Sequence, residues 1–201
     1  MNLLKNSETF SLEMSRGVSQ LSTARSAKQK IIEAFLQLLY EKSFEECSVK
    51  EIIQTAGLSR STFYLHFVDK FELLEDVRRT LNCRFLSFYK AEFNHSGKPI
   101  TYHLCEHIFT YRSFYEMEFA DANAIRKLSN KLAAQLLEVF DDQDYAIFAS
   151  YGTIGYLSFW IKDGFVISPA VAAEKLLKIG LTNWTKKLDK KFDRSEMVEE
   201  V

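Results

Sequence analysis

Residues 48–70 read SVKEIIQTAGLSRSTFYLHFVDK, and the placing of caps, apolar positions and one glycine predicts two short helices meeting at a tight turn. Ser48 is positioned as an N-cap, and Glu51 three residues on completes a capping box. Val49, Ile52, Ile53 and Ala56 recur at i, i+3, i+4 and i+7, so one face of the first helix is apolar. Gly57 takes positive φ at little cost, which stops that helix and turns the chain. Leu58 is expected to fill the corner and Ser59 to cap a second helix over 59–67. The first turn of that helix holds Arg60, Ser61 and Thr62, with Tyr64 and His66 further along. Such a small, polar, basic helix start suits the major groove of DNA, where base edges offer acceptors to guanidinium and hydroxyl groups.

Residues 56–70, AGLSRSTFYLHFVDK, resemble the helix-turn-helix signature of TetR/AcrR-type transcriptional regulators. The resemblance extends upstream over 31–44 and downstream to Leu73 and Leu74, about a quarter of the chain. Ile53 stands where many members carry Ala, and Ser61 where many carry Gly. The resemblance implies a homodimeric, sequence-specific DNA-binding regulator on a palindromic operator, with repression the expected mode. Arg60 is then the base-reading side chain, since its fork matches a guanine edge. Ser48, Ser59, Ser61 and Thr62 lie near the groove or the phosphates. Tyr64 and His66 resemble the family's phosphate-contacting pair, and their polar tips can donate to phosphate oxygens. Lys70, opening the next helix, adds its charge to free N–H groups, an arrangement suited to an anion. Phe63 and Phe67 are assigned to the core.

The rest of the composition agrees with an all-α protein. Only seven Gly and two Pro in 201 residues leave little material for strand-and-turn architecture. Seventeen Phe and nine Tyr imply a thick aromatic core, a large apolar interface or a pocket. The net charge of −1 hides an asymmetry: residues 25–90 carry 11 Lys and Arg against 9 acids, and residues 91–201 carry 13 against 16. That modest basic excess calls for a few well-placed phosphate contacts, doubled by dimerisation. Cys47, Cys83 and Cys105 have no CxxC spacing, which favours a reducing cytoplasm over a disulfide scaffold or zinc knuckle. The first seventeen residues scatter charges and lack the apolar run of a signal peptide. Residues 145–161 carry no charge, but seventeen residues with Ser, Thr and Gly among them are short for a bilayer. A buried helix at a subunit interface is expected there instead.

Along the chain, 1–24 reads as a flexible polar tail, 25–70 as the DNA-binding domain and 71–201 as a helical ligand-binding and dimerisation domain. Helices are expected over 27–40, from 70 to about 92, over 100–110 and 111–119 with a kink between, over 123–140, up to about 160, and over 170–188. About nine helices in all are expected. The stretch 94–99, NHSGKP, is the clearest breaker. Pro169 fits the first turn of the last helix, where its missing N–H costs nothing.

Residues 111–115, YRSFY, and 155–169, GYLSFWIKDGFVISP, resemble the C-terminal domain of a TetR subgroup that includes dihydroxyacetone-kinase operon activators. That resemblance implies a four-helix dimer interface made by the last two long helices of each subunit. Tyr151, Gly152, Gly155, Phe159, Trp160, Leu177, Leu181 and Trp184 are its expected residues, the glycines allowing close approach. A small-molecule effector of unspecified identity would occupy a cavity lined by Tyr111, Phe114 and Tyr115, with Tyr102, His103 and His107 as polar contacts. Control by a protein partner without such a cavity is the alternative.

His103, Glu106 and His107 spell H-x-x-E-H, which places two imidazoles on one helix face and raises a zinc hydrolase as a further alternative. No second motif supplies a third ligand, so ordinary helix histidines are expected, with no metal and no cofactor. No paired carboxylates, nucleophile elbow or phosphate-cradling glycine loop occur, so no enzymatic activity is expected.

Overall fold

The structure, a computed structural model, describes residues 26–90, 97 and 99–182. Among these residues every regular element is a helix, as the composition requires. The N-terminal elements are α1 (Ala27–Glu41), α2 (Val49–Ala56), α3 (Arg60–Tyr64) and the long α4 (Lys70–Ser87). There follow α5 (Ile100–Thr110), α6 (Arg112–Glu118), α7 (Ala122–Phe140), α8 (Gln143–Lys162) and α9 (Pro169–Leu181). Seven of these nine begin at a Ser or Asp whose side chain accepts a first-turn N–H. Those caps satisfy donors that the helix itself cannot, and they fix where each helix starts.

Helix α1 packs across α2 and α3. Ile31, Phe35, Ile52 and Phe63 are fully buried between them, and Phe67 is nearly so. Leu73, Leu74, Val77, Leu81 and Phe85 give α4 an apolar face buried along most of its length. Helices α7 and α8 pair closely across a tight connection in which Asp141 takes φ 50°, and α9 lies along α5. The buried Glu118 of α6 receives two hydrogen bonds from Arg78 Nε, at 2.8 and 3.1 Å, and one from Asn82 Nδ2 at 3.3 Å. Arg78 and Asn82 both belong to α4, so this carboxylate ties α4 to α6.

The predicted elements differ from the observed ones mainly at their C-terminal ends. Helix α3 stops at Tyr64, short of the expected 67. Both the His66 and the Phe67 N–H fall on the Phe63 carbonyl, at 2.9 and 3.0 Å, which tightens the chain and swings Phe67 into the core. Helix α4 ends at Ser87 in turns over 88–90, so the expected end near 92, most of the 94–99 breaker, the 1–24 tail and the 183–188 end of the last helix lie outside the described residues.

Lys70 requires a correction. Expected to present its charge to a phosphate, it donates instead to the carbonyls of Phe44 (2.9 Å), Glu45 (3.0 Å) and Cys47 (2.9 Å). An ammonium has three protons, and all three are spent on the α1–α2 connection. The charge also sits 4.6 Å from the centroid of the Phe44 ring. The free N–H groups at the start of α4 are taken by Asp69, which accepts from Phe71 and Glu72 at 2.8 and 2.9 Å. Replacing Lys70 by Met keeps the stem and removes the ammonium donor from three carbonyls, of which Phe44 keeps the Cys47 N–H at 3.2 Å; the expected loss is about 2 kcal/mol of unfolding free energy, read by urea denaturation, and a loss below about 0.5 kcal/mol would assign the other carbonyls to water instead.

Candidate functional site

The turn between α2 and α3 is built as its sequence dictates. Gly57 adopts φ 64° and ψ 37°, the left-handed conformation that glycine tolerates best. Glu51 Oε2 accepts from the Ser48 N–H at 3.0 Å and from the Ser48 hydroxyl at 2.7 Å, closing the capping box. Lys42 donates to the same carboxylate at 2.5 Å. That ammonium, with the Ser48 donors, pulls the Glu51 carboxyl down to about 2. The donors of Ser48 are thus engaged within the fold.

Ser59 caps α3, accepting from Thr62 N at 3.1 Å. Its hydroxyl also lies 2.8 Å from that of Ser61 and 2.7 Å from that of Thr62, so three hydroxyls cluster at the exposed helix start. Arg60 Nη2 donates to Tyr64 Oη at 3.3 Å, and its guanidinium carbon lies 5.4 Å from the Tyr64 ring centroid. The guanidinium is therefore laid along the outer face of α3. Beneath that face Phe63 is fully buried, which fixes the rotation of the helix. His66 is exposed, its ring 6.4 Å from that of Phe67.

A groove of about 280 Å³ runs between α2 and α3, lined by Lys50, Gln54, Arg60 and Tyr64 over the side chains of Val49 and Ile53. Lys50 and Gln54 were not expected from sequence. Both are exposed, and their signal is their position on α2, opposite the apolar stripe in an amphipathic helix set beside α3.

A second concavity, of about 470 Å³, lies between α4 and α5. Helix α4 contributes Thr80, Leu81 and Arg84 to it, Phe88 follows at the helix end, and α5 contributes His103, Glu106, His107 and Thr110, with Tyr111 at the junction. His103, His107 and Tyr111 were expected around a cavity; Thr80, Arg84 and Glu106 were not. Tyr102 does not line it. Phe114 and Tyr115 do not line it either: both are buried, at 1% and 0% exposure, and Phe114 borders a separate small concavity with Tyr111, Tyr40 and Leu36. The buried His107 Nε2 lies 2.8 Å from Tyr115 Oη and 3.2 Å from the Leu81 carbonyl oxygen. Burial pulls its pKa down to about 4, so the imidazole is neutral at physiological pH. With Nε2 engaged, the H-x-x-E-H helix does not offer two open imidazoles, and no cluster of three metal-binding side chains occurs among the described residues.

Helix α8 presents Phe148, Tyr151, Gly152, Gly155 and Phe159 on its outer face, with Phe159 66% exposed. Leu177 and Leu181 are exposed on α9, Leu181 at 79%. Trp160 is corrected from interface to core: it is 2% exposed, its Nε1 donates to the Ile167 carbonyl at 3.0 Å, and its ring meets Phe165 edge-on at 4.9 Å. Trp184 lies outside the described residues. No described helix is long and apolar enough to cross a membrane.

Residues 31–77 match the family described as bacterial regulatory proteins, tetR family. Over 52 residues the chain is 40% identical to the uncharacterized HTH-type transcriptional regulator YxbF of Bacillus subtilis (strain 168), and over 53 residues 32% identical to YvdT of the same organism. Each match covers 26% of this chain and spans only 14% and 27%, respectively, of those relatives. The fold is shared more widely. A TetR/AcrR-family transcriptional regulator from Aquifex aeolicus VF5 superposes with a TM-score of 0.62 at 20% identity, covering 77% of this chain and 99% of that one. The dihydroxyacetone kinase operon activator DhaS superposes at 0.61 with 19% identity, covering 76% and 92%. The chain therefore has the all-helical TetR fold, with the family's helix-turn-helix at its N-terminal end.

The neutral His107 makes stability depend on pH. Its folded pKa lies below the ordinary imidazole value of about 6.5, so as pH falls the unfolded chain takes up the proton first. Its contribution is complete above pH 6.5 and is lost as pH drops towards 4. The stability advantage of wild type over His107→Asn is expected to shrink by about 3 kcal/mol between pH 7.5 and pH 4, measured by urea unfolding at both. A pH-independent difference would mean that His107 is hydrated in the folded protein.

Proposed function

We propose that this chain, whose residues 31–77 match the family of bacterial regulatory proteins, tetR family, is a transcriptional regulator acting as a homodimer on a palindromic operator. The observation that carries the reading is the exposed edge of α3. A Ser59-capped helix start with clustered hydroxyls and a guanidinium aligned along its outer face is seated rigidly on Phe63. Arg60 reads a base edge, and Ser59, Ser61 and Thr62 border the groove. Tyr64 and His66 reach phosphate oxygens, and Lys50 and Gln54 extend the contact from the neighbouring helix.

The apolar outer face of α8, continued by α9, supports pairing with a second copy. A dimer would place two reading helices in successive major grooves about 34–36 Å apart, or a multiple of that. A small-molecule effector bound beside α4 would tilt that helix and alter the separation of the reading heads. Repression follows where the operator overlaps a promoter.

Fluorescence anisotropy on fragments of DNA upstream of the gene, at several salt concentrations, tests the reading. Tight, salt-sensitive binding to one fragment is expected, and equal weak binding to every fragment would remove it. Arg60→Ala should lower specific affinity by about 1–3 kcal/mol and relax preference at one base pair, whereas unchanged selectivity would take Arg60 out of the reading role. Within the protomer a Cβ added at exposed Gly155 meets nothing within 4 Å, so the outward side chain has room. Gly155→Leu should therefore leave the fold intact and shift sedimentation from dimer to monomer; a dimeric variant would move the interface elsewhere.

A further inference from the structure

We infer that Leu65 is a second base-reading residue, which recognises the C5 methyl group of a thymine in the major groove. Its direction is set by the core. Phe63 is fully buried and Phe67 nearly so, and the Phe67 N–H donates to the Phe63 carbonyl at 3.0 Å. The chain therefore makes one full helical turn between two core rings. Leu65 is two residues from each, and at about 100° per residue it projects about 160° away from both. Its backbone is still right-handed helical, at φ −71° and ψ −22°, and its N–H donates to the Ser61 carbonyl at 3.1 Å. Ser61 thus lies one turn before it on the same outward line. At 81% exposure the leucine stands clear of the domain.

What Leu65 can recognise follows from what it lacks. The other exposed side chains of 59–66 are Ser59, Arg60, Ser61, Tyr64 and His66, and each ends in a hydrogen-bonding group. Leu65 can neither donate nor accept. Against a duplex it gains only by removing apolar surface from water. Base edges in the major groove present donors and acceptors, with one exception: the C5 methyl of thymine.

The flanking residues aim it there. On the proposed reading Tyr64 and His66 reach phosphate oxygens, which leaves the residue between them over the base edges. Arg60 and Leu65 are five residues apart, about 7.5 Å along the helix axis, or about two base-pair steps. The two side chains therefore read different base pairs of one half-site. Their selection differs in kind, since Arg60 finds paired acceptors and Leu65 a methyl group.

The inference rests on the regulator reading and deepens it. Its test is fluorescence anisotropy on the upstream fragment that binds selectively, with each thymine of one half-site replaced in turn by deoxyuridine. That exchange removes the C5 methyl and leaves every hydrogen-bonding group in place. Wild type is expected to lose affinity about fourfold at one thymine, the effect of one buried carbon group. Leu65→Ala removes atoms that lie in solvent in the free protein. It should bind the thymine and uracil duplexes equally at that position and still discriminate at the base pair read by Arg60. Val68→Ala trims a side chain 74% exposed beyond the turn, and should keep the wild-type response. No loss at any thymine, a loss that survives Leu65→Ala, or a loss that Val68→Ala also removes would each overturn the inference. Selective binding of the unmodified fragment without a methyl response sinks the inference and keeps the regulator; no selective binding of any fragment sinks both.

Discussion

Three carbonyl oxygens at the end of the α1–α2 connection converge on the single ammonium of Lys70. The Phe44 carbonyl also accepts from the Cys47 N–H at 3.2 Å, while the Glu45 and Cys47 carbonyls lie in a loop with no ladder to join and would otherwise rely on water. One cation satisfies all three and anchors the first residue of α4 to the loop that precedes α2. The geometry of the helix-turn-helix follows from this anchor together with Phe63 and Phe67. Helix α2 is held from its N-terminal side, α3 is held from beneath, and the chain leaving α3 enters α4 at a fixed point. A flexible joint at Lys70 would let α3 rock relative to α1, and the alignment of Arg60 with Tyr64 would no longer be set relative to the rest of the domain.

Further along, α4 is fixed by polar ties to different neighbours. Asp76, accepting from Lys28 at 2.9 Å, faces α1. Arg78 and Asn82 grip the buried carboxylate of Glu118 on α6. The Leu81 carbonyl meets His107 of α5 and, at 3.3 Å, the hydroxyl of Tyr115 on α6. Buried polar contacts of this kind add modest net stability, but they penalise any register that leaves a partner unpaired. Helix α4 is thereby a stiff bar with few permitted positions. On the proposed reading that stiffness is useful, because a ligand pressing on the α4–α5 cleft can move the reading head only if the bar does not bend. Coupling between such sites is typically about 1–3 kcal/mol, which a few displaced contacts along one helix can supply.

The N-terminal half was legible because its information is local. Ser48 with Glu51, the lone Gly57 and Ser59 are each explained by residues within four positions of themselves, and the structure realises all of these caps. What escaped the sequence there was long-range. Lys70 meets acceptors more than twenty residues away, and no spacing rule reveals that three carbonyls will gather at one point. The early end of α3 escaped for a similar reason, since the burial of Phe67 against α1 outweighs continued helix. The cleft was half legible. The α5 aromatics and histidines stand out as a periodic set, whereas Arg84 and Thr80 sit on a helix that reads as a plain lever until α5 is laid beside it.

Helix α8 shows where periodicity loses its power. Its uncharged middle has apolar residues on every side, so the pattern that separates an inner from an outer face in α2 has no contrast to work with. Phe159 and Trp160 are neighbours of similar character, and yet one is 66% exposed and the other 2%. The difference lies in chemistry that spacing ignores. The indole N–H of Trp160 needs an acceptor once buried, and the chain beyond the helix provides one in the Ile167 carbonyl, with Phe165 set against the ring. Phe159 has no polar atom to satisfy and can serve on either face. That a helix should keep phenylalanine, tyrosine and paired glycines on its solvent side, where charged residues would cost nothing, is the physical reason to read the face as a surface made to be covered.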